Sequence, residues 1–232
     1  MAELNIDLHP AQLQIFNSKK RFKIVAAGRR FGKSYLSAWL LLINAIQSES
    51  KDVFYVAPTF QQAKDIMWGM LKDLGKDLIA AAHENTAVLT LVNGRKIYLK
   101  GSDRPDTLRG VGLYFVVLDE YANMKPQVWE QIIRPTLADV RGSALFIGTP
   151  AGKNHFFDLY KDALEDDDWD SFQFQSVDNP FLPVDEIEAS KKSMSSMSFR
   201  QEFEASFETF SGGIFKEEWF KVDEEPEEGN YV

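Results

Sequence analysis

The sequence predicts an α/β fold in which a mostly parallel sheet is flanked by helices. Short apolar runs typical of buried strands alternate along the chain with segments in which apolar residues recur at helical spacing. Acidic residues or glycine-containing turns follow several of these runs, at the edge where α/β sheets bind ligands. With 232 residues, the chain can form one substantial core with a small appended subdomain.

The first three elements enclose a loop of distinctive sequence. A helix is predicted over Pro10–Asn17 and a buried strand over Phe22–Ala27, and a second helix begins at Lys33. Between strand and helix the chain reads A-G-R-R-F-G-K-S. This run matches the phosphate-loop pattern G-x-x-x-x-G-K-[ST] except at its first position, where Ala27 stands and glycine follows one residue later. An ordinary strand–helix turn with a solvated lysine is the alternative.

The loop is predicted to bind phosphate through its backbone. N–H groups at a helix N-terminus can point into one concavity, where the helix dipole also favours anions. Lys33 is expected to neutralise the β- and γ-phosphates of a nucleotide, and the Ser34 hydroxyl to ligate Mg²⁺. The predicted nucleotide-binding residues of the loop are Ala27, Gly28, Arg29, Arg30, Phe31, Gly32, Lys33 and Ser34.

The next elements are a strand over 53–57, a helix over 61–81 and a β-hairpin. Two alternating runs, 86–92 and 95–100, flank an Asn-Gly pair, which favours a tight turn because both residues tolerate positive φ. We interpret the hairpin as an insertion into a plain strand–helix–strand pattern. Its basic residues have an ordinary explanation as protection of an edge strand.

An apolar run over 114–118 ends in two carboxylates, Asp119 and Glu120. Such a run is typical of a central parallel strand buried on both faces. Asp119 is expected to hold Mg²⁺ together with Ser34, and Glu120 to polarise an attacking water. By itself the acidic pair is typical of a helix N-cap, but its combination with a phosphate loop favours the catalytic interpretation.

A third apolar strand, 144–147, ends in the turn formed by Gly148, Thr149 and Pro150. We expect it beside the preceding strand, so that its turn lies at the same edge of the sheet. There Thr149 would sense the γ-phosphate, and the turn would couple hydrolysis to the segments that follow. Glycine and proline also simply punctuate loops, so the tripeptide by itself is a weak signal.

The remaining elements predict a smaller C-terminal unit. A helix is predicted over 154–164, an edge strand over 171–177, and helices over 185–194 and 198–210. We divide the chain into a phosphate-loop core over 1–165, a lid or linker subdomain over 166–215 and an acidic linker over 216–232. An aromatic stripe on the last helix is typical of core packing and consists of Phe199, Phe203, Phe207 and Phe210.

Composition excludes several classes of function. The chain lacks cysteine, which excludes a disulfide framework and a thiolate zinc site, and its three histidines have no metal-ligand spacing. It also lacks an apolar run of membrane-spanning length and a signal peptide at its start, so we expect a cytoplasmic protein. The net charge of −9 leaves nucleic-acid binding undecided, because acidic residues concentrate in 216–232 and basic ones in 19–23 and 95–109.

Taken together, these segments resemble the ATPase domain of the large terminase subunit of tailed double-stranded-DNA bacteriophages. An Arg-Gly pair shortly before the two carboxylates is the part least expected of an arbitrary phosphate-loop protein. The segment 199–215 resembles the end of that domain, where family members continue into an RNase H-like nuclease. The other segments that carry the resemblance are 28–34, 55–59 with Gln62 and Ala63, 108–110, 117–120 and 148–150.

The resemblance implies a P-loop NTPase fold of the RecA-like (ASCE) class and an ATP-hydrolysing motor that drives double-stranded viral DNA into a preformed capsid. The implied cofactors are ATP and Mg²⁺. Gln12 matches the position where the family reads adenine, and Arg29 matches one that contacts phosphate in cis. The implied partners are double-stranded DNA, the portal protein, the small terminase subunit and further copies in a ring on the capsid. The isolated chain is expected to be monomeric, located in the host cytoplasm and without nuclease activity.

Further basic residues receive roles in this motor. A motor must grip DNA of any sequence, so contacts to phosphates rather than bases are suitable. The residues expected to line the DNA channel are Arg95, Lys96, Lys100 and Arg104.

Arg109 precedes the strand that delivers Asp119, which places it roughly 20–25 Å from the catalytic edge at about 3.3 Å per residue. The resemblance implies that it acts as a finger in trans on a neighbour's nucleotide, while a loop-tethering arginine is the alternative.

Two other functions compete with the motor. A superfamily 2 helicase or remodelling ATPase shares the Pro-Thr pair at 58–59 and the acidic pair, but it needs a second RecA-like lobe, for which 232 residues leave no room. A nucleotide-binding assembly module would keep the loop and lack turnover of its own. Phosphate release that rises more steeply than linearly with protein concentration favours a ring enzyme over such a module.

Overall fold

The computed structural model describes residues 6–208. The strands within this range are β1 (Phe22–Ala27), β2 (Asp52–Ala57), β3 (Ile79–His83), β4 (Val88–Leu91), β5 (Lys96–Gly101), β6 (Leu113–Asp119), β7 (Ser143–Gly148) and β8 (Trp169–Phe174). The helices are α1 (Pro10–Asn17), α2 (Lys33–Gln47), α3 (Phe60–Leu74), α4 (Arg134–Thr136), α5 (His155–Asp162), α6 (Val184–Ser193) and α7 (Ser196–Phe203). A π-helical segment, Val128–Ile133, directly precedes α4.

All eight strands belong to one sheet, in the order β3-β4-β5-β2-β6-β7-β1-β8. The six strands from β5 to β8 in this order run parallel, whereas β4 pairs antiparallel with both β3 and β5. This mostly parallel α/β sheet confirms the predicted fold class. Because β6, β7 and β1 are neighbours, the residues that follow them meet at one carboxyl edge of the sheet.

The core consists of two apolar clusters, one on each face of the sheet. Helices α1, α2 and α3 contribute to the first cluster, and the π-helical segment and α5 contribute to the second. Successive residues of β6 alternate between them, since Val117 belongs to the first cluster and Val116 to the second. Burial on both faces explains why the central strands read as continuous apolar runs.

The sequence predicted a helix over 61–81, which is wrong at its C-terminal end. Helix α3 ends at Leu74, and Gly75 caps it through its N–H and the carbonyl of Leu71. A Cβ atom at Gly75 would lie 2.8 Å from the backbone oxygen of Leu71, which favours glycine at this position. Beyond it, Ile79–His83 leave the helical path because they pair with β4 as an additional strand.

The hairpin was expected to be an insertion, which holds for its first strand but not for its second. Strands β4 and β5 do form an antiparallel pair, as predicted. However, β5 also pairs in parallel with β2, from Val53 opposite Ile97 to Ala57 opposite Gly101. The second strand of the hairpin is therefore an integral strand of the main sheet, which local sequence does not reveal because the pairing partner lies some forty residues away.

The last predicted helix, 198–210, is shorter in the structure because α7 ends at Phe203. Phe207 lies beyond the helix and packs against the rings of Phe156, Phe157 and Tyr160. Core packing is thus confirmed for Phe207, although not as part of a helical stripe. Phe210 and the acidic linker over 216–232 lie outside the described residues.

Strand β8, within the interval assigned to the lid, pairs in parallel with β1 and forms one edge of the sheet. This confirms the predicted edge strand, while the division into domains at residue 165 stays a prediction. Among residues 6–208, we find no helix that is both long and apolar enough to traverse a lipid bilayer.

Candidate nucleotide-binding site

A cleft of about 780 Å³ lies at the carboxyl edge of the sheet, where β1, β6 and β7 end. Register brings the three strand ends together, because Ala26 lies opposite Gly148 and Asp119 lies opposite Ile147. The cleft is lined by the loop and first turn of α2, by the ends of β6 and β7, and by α7. The lining residues are Arg29, Arg30, Phe31, Gly32, Lys33, Ser34, Tyr35, Met70, Glu120, Asn123, Thr149, Pro150, Ala151, Gln201 and Glu202.

The Lys33 ammonium lies inside the loop that precedes it. Its Nζ donates to the carbonyls of Ala27 at 2.7 Å and Gly28 at 3.0 Å, and to Oγ1 of Thr149 at 3.2 Å. Burial lowers the pKa of Lys33, while the carboxylates of Glu120 and Asp119 act in the opposite direction. Because burial disfavours the charged form of Lys33, the phosphates of an incoming nucleotide would stabilise its ammonium.

The remaining carbonyls of the loop also accept hydrogen bonds from side chains. Ser176 Oγ donates to the carbonyl of Arg29 at 2.6 Å, and Asn179 Nδ2 to that of Arg30 at 2.7 Å. On the other side, His9 Nε2 lies 2.9 Å from the carbonyl of Phe31, and Gln12 Nε2 donates to that of Gly32 at 2.9 Å. These contacts hold the carbonyls from Ala27 to Gly32, which fixes the loop before any ligand binds.

The sequence had suggested that the N–H groups of the loop point into the cleft, but two of them do not. The N–H of Gly28 donates to the carbonyl of Phe174 at 3.0 Å, and that of Arg29 to the carbonyl of Glu202 at 2.7 Å. A Cβ atom at Gly28 would lie 2.5 Å from both the Phe203 carbonyl oxygen and Ser176 Oγ, which explains a glycine at this position. The N–H groups at the cleft are those at the start of α2, whose first turn has no intrahelical partners for them.

The Arg29 side chain forms an ion pair with Glu202 of α7. The Arg29 side chain is 68% exposed and the Glu202 side chain 21% exposed, so the pair lies at the rim of the cleft. The hydrogen bond and charge of Glu202 raise the pKa of Arg29, and the charge of Glu120 acts in the same direction. Arg29 thus lies at the cleft as predicted, but a carboxylate holds it there.

Asp119 is buried at the end of β6, and both its oxygens are engaged. Its Oδ1 accepts the N–H of Glu120 at 2.8 Å, and its Oδ2 accepts the hydroxyl of Tyr55 from β2. Burial raises the pKa of Asp119 to about 6, an effect that the Tyr55 hydrogen bond opposes and the charge of Glu120 reinforces. Glu120 has a φ of +52° and lines the cleft.

The predicted Mg²⁺ ligands fit the chemistry of that ion. Ser34 and Asp119 offer oxygen donors, which Mg²⁺ prefers, and phosphates and water usually complete its octahedral shell in nucleotide sites. No cluster of three or more metal-binding histidines or acids occurs within residues 6–208, so the protein itself offers no complete cage there.

A second, smaller pocket of about 270 Å³ adjoins the loop on the side of α1. Gln12 lies here with its side chain on the Gly32 carbonyl, and Tyr35 provides an aromatic wall. His9 and Gln12 also cap α1 reciprocally, which fixes both side chains. Both polar atoms of the Gln12 side chain are engaged within the protein, and its contact with a base stays a prediction.

Other predicted residues lie away from the cleft. Lys96 and Lys100 share one face of β5 with Tyr98, beside a groove of about 410 Å³. Arg95 lies in the turn before β5 and Arg104 beyond its end, so the structure does not bring all four basic residues onto that face. Arg109 is not among the residues that line the phosphate cleft; it is 53% exposed and pairs with Asp106 at 3.7 Å.

Sequence reasoning missed several residues that shape the site, namely His9, Tyr55, Ser176, Asn179 and Glu202. His9 carried a signal, because it precedes Pro10 at the expected start of a helix, the usual place of a capping residue. For the other four, no local pattern indicated a contact with the loop or with Asp119. Their roles depend on segments that are distant in sequence.

Comparison with known proteins identifies the family of this chain. A family model described as the N-terminal part of the terminase large subunit, T4likevirus type, matches residues 24–222. The large terminase subunit of Escherichia phage T5 is 30% identical over 226 residues, which cover 93% of this chain and 51% of that protein. The large subunit of Thermus phage G20c is 26% identical over 242 residues, which cover 89% of this chain and 50% of that protein.

Solved structures share the fold. The ATPase domain of the Thermus phage P74-26 large terminase superposes with a TM-score of 0.76 at 26% identity, covering 88% of this chain and 95% of that one. The large terminase of bacteriophage HK97 gives a TM-score of 0.70 at 15% identity, covering 85% of this chain and 50% of that one. The chain spans about half the length of the curated relatives it matches. On this evidence it belongs to the terminase large subunit family and corresponds to that family's N-terminal region.

Proposed function

We propose that the chain is an ATP-hydrolysing motor domain that drives double-stranded viral DNA into a preformed capsid. This proposal depends on one observation. Lys33, which is held within a fixed phosphate loop, lies at the same edge of the sheet as Asp119 and Glu120. The P74-26 relative, which is itself named an ATPase domain, supports it. Family membership favours this motor over a helicase fragment.

Each predicted site residue has a role in this proposal. The loop from Ala27 to Ser34 binds the phosphates, and Gln12 reads the adenine. Ser34 and Asp119 would hold Mg²⁺, which would supply positive charge to stabilise the phosphates during transfer. Glu120 accepts a proton from the attacking water. The turn formed by Gly148, Thr149 and Pro150 couples hydrolysis to movement, and the contact between Lys33 and Thr149 supports a direct link.

The partners follow from the same proposal. The motor grips the phosphates of double-stranded DNA, for which the Lys96–Lys100 face of β5 is the best candidate surface. It works as a ring on the portal protein, together with the small terminase subunit, in the cytoplasm of the bacterial host. Arg109 completes the site of a neighbouring copy. These assignments rest on family membership and on the placement of the basic residues.

Phosphate release and ADP binding, measured at several protein concentrations with and without double-stranded DNA, test the proposal. We expect the Lys33→Ala variant to lose both activities, because the phosphates lose the cation inside the loop. Lys153→Ala, an exposed lysine near the same edge, serves as the control. Unchanged nucleotide affinity and turnover in Lys33→Ala would contradict the proposal. Nucleotide binding without turnover at any concentration of the parent chain would instead support an assembly module.

A further inference from the structure

Tyr55 is a fully buried tyrosine in the middle of β2, surrounded along its strand by apolar residues. Strand β2 pairs in parallel with β6, and Tyr55 lies opposite Val117 in the register of this pair. Both side chains belong to the apolar cluster on the α2 face of the sheet. Asp119 is two residues beyond Val117, so it lies on that same face, within reach of a long side chain from the neighbouring strand.

The phenol hydroxyl of Tyr55 donates a hydrogen bond to Oδ2 of Asp119. With Oδ1 held by the Glu120 N–H, the carboxylate is fixed at both oxygens. An isolated carboxylate at a strand end can rotate about χ2, because that torsion is broad. Here rotation would break a buried hydrogen bond, which is costly where no water replaces it.

The packing of Tyr55 does not itself require a hydroxyl. Phenylalanine would fill the same apolar space, and the neighbours of Tyr55 on the same face of β2, Val53 and Ala57, are purely apolar. Burying a hydroxyl costs free energy unless it finds a partner, and the partner here is one of the two predicted Mg²⁺ ligands. The polar atom of Tyr55 therefore serves Asp119 rather than the core.

We propose that Tyr55 is a positioning residue that orients the Asp119 carboxylate toward the divalent cation of a bound nucleotide. It does not touch the cation or the nucleotide. It fixes the orientation of the Asp119 carboxylate, so that the carboxylate would take part in a metal shell without reorganisation. In other metal sites, residues that hydrogen-bond to a metal ligand orient it in this way, and their loss weakens metal affinity by about 10–100-fold. The inference rests on the proposed nucleotide site.

The test is Mn²⁺ binding to the full chain in the presence of ADP, measured by electron paramagnetic resonance, with Mn²⁺ as the probe for Mg²⁺. We expect Tyr55→Phe to weaken Mn²⁺ binding by about 10–100-fold while metal-free ADP binding stays at the parental level. Tyr114→Phe, which removes a hydroxyl from the start of β6 in the same sheet, is the matched control and should bind Mn²⁺ as the parent does. Thermal unfolding checks that both variants fold.

A second variant separates positioning from a general loss of structure. The Asp119→Asn variant already lacks the carboxylate that Tyr55 is proposed to orient. Adding Tyr55→Phe to it should therefore cause little further loss of Mn²⁺ affinity. Equal Mn²⁺ affinity in Tyr55→Phe and the parent would overturn this inference alone. Independent, additive losses in the double variant would overturn it as well. Absence of ADP-dependent Mn²⁺ binding in the parent chain would overturn the proposed function, and this inference with it.

Discussion

Glu120 combines an unusual backbone with a functional position. Its φ of +52° lies in the left-handed region, which is unfavourable for residues other than glycine. Such a conformation costs on the order of 1–3 kcal/mol and persists only where the surrounding structure determines it. Here the N–H of Glu120 binds Asp119 Oδ1, and the Glu120 side chain lines the cleft. The turn therefore directs one carboxylate to the cleft while it holds the other.

We expect Glu120→Gln to bind ATP normally and to hydrolyse it about 10²–10⁴-fold more slowly, the usual contribution of a general base. Glutamine keeps the size and hydrogen bonding of the side chain but does not accept a proton from water. Single-turnover phosphate release and ATP binding measure the two effects separately. Glu130→Gln, which changes an exposed acid outside the cleft, is the control. An equal loss of binding and turnover would indicate a structural N-cap role.

At the scale of elements, the phosphate loop is joined to the C-terminal segments by several contacts. Ser176 and Asn179 hold its carbonyls, and Glu202 of α7 holds both the backbone and the side chain of Arg29. A nucleotide phosphate would compete with Glu202 for the Arg29 guanidinium. We therefore expect α7 to respond to the state of the nucleotide site.

The Glu202→Gln variant tests this link between α7 and the loop. Removing the charge should speed amide hydrogen exchange in α7 by up to about fivefold, since an exposed ion pair contributes at most about 1 kcal/mol. ADP affinity should not fall, because Arg29 becomes free to meet the phosphate. Hydrogen-exchange mass spectrometry and calorimetry provide the two measurements, with Glu204→Gln as the control. Exchange in α7 at the parental rate would argue against the link.

A second element, β5, presents basic residues on one face. Lys96, Tyr98 and Lys100 alternate with the buried Ile97 and Leu99, so the two lysines point to the same side of the sheet. Desolvation lowers the pKa of Lys100, and its ammonium lies 5.5 Å from the ring centre of Tyr98. This face is suited to phosphates of a nucleic acid because it offers two positions of like charge along one strand.

We expect the double variant Lys96→Ala/Lys100→Ala to bind double-stranded DNA of any sequence more weakly. Each lost phosphate contact should reduce the slope of log affinity against log salt by about one unit. Fluorescence anisotropy over a range of salt concentrations measures this slope. A control pair, Lys76→Ala/Lys192→Ala, removes the same charge from exposed positions elsewhere. Parental affinity and salt dependence in the test variant would remove this face from the DNA path.

At the scale of the whole molecule, the site has its cations on one side. Lys33 and Arg29 reach the cleft from the loop, whereas Arg109 lies before β6, in the segment that connects it to β5. Strand β6 carries the chain from Leu113 to Asp119, about 20 Å at 3.3 Å per residue. Arg109 does not line the cleft and is 53% exposed, so we expect it to serve a neighbouring copy rather than its own nucleotide.

Mixed rings test whether Arg109 acts in trans. We expect Arg109→Ala to bind ATP normally and to lose about 10³–10⁵ in turnover within an assembled motor, the usual effect of an arginine finger. Mixing it with Glu120→Gln should restore part of the activity, because one copy supplies the arginine and its neighbour the base. Steady-state phosphate release measures the recovery. No recovery at any ratio, in rings shown to contain both variants, would count against the trans role.

Local sequence determined the parts of this protein that depend on neighbouring residues. The strand–loop–helix unit around Lys33 and the buried strand that ends in Asp119 were predictable because apolar periodicity and the loop motif lie within short windows. Because α/β sheets bind ligands at the carboxyl ends of their strands, the phosphate loop and Asp119 were both expected at one edge of the sheet. The same reasoning failed at the end of α3, where pairing with β4 outweighed helical spacing.

Only the tertiary structure decided which distant residues support the site. Tyr55 meets Asp119 across 64 positions of sequence, and Ser176, Asn179 and Glu202 meet the loop across 147, 149 and 173 positions. Each is an ordinary residue in its own segment, because a contact between remote segments leaves no periodicity or motif in either one. The sequence by itself therefore determined the chemistry of the site, and folding determined which side chains hold that chemistry in place.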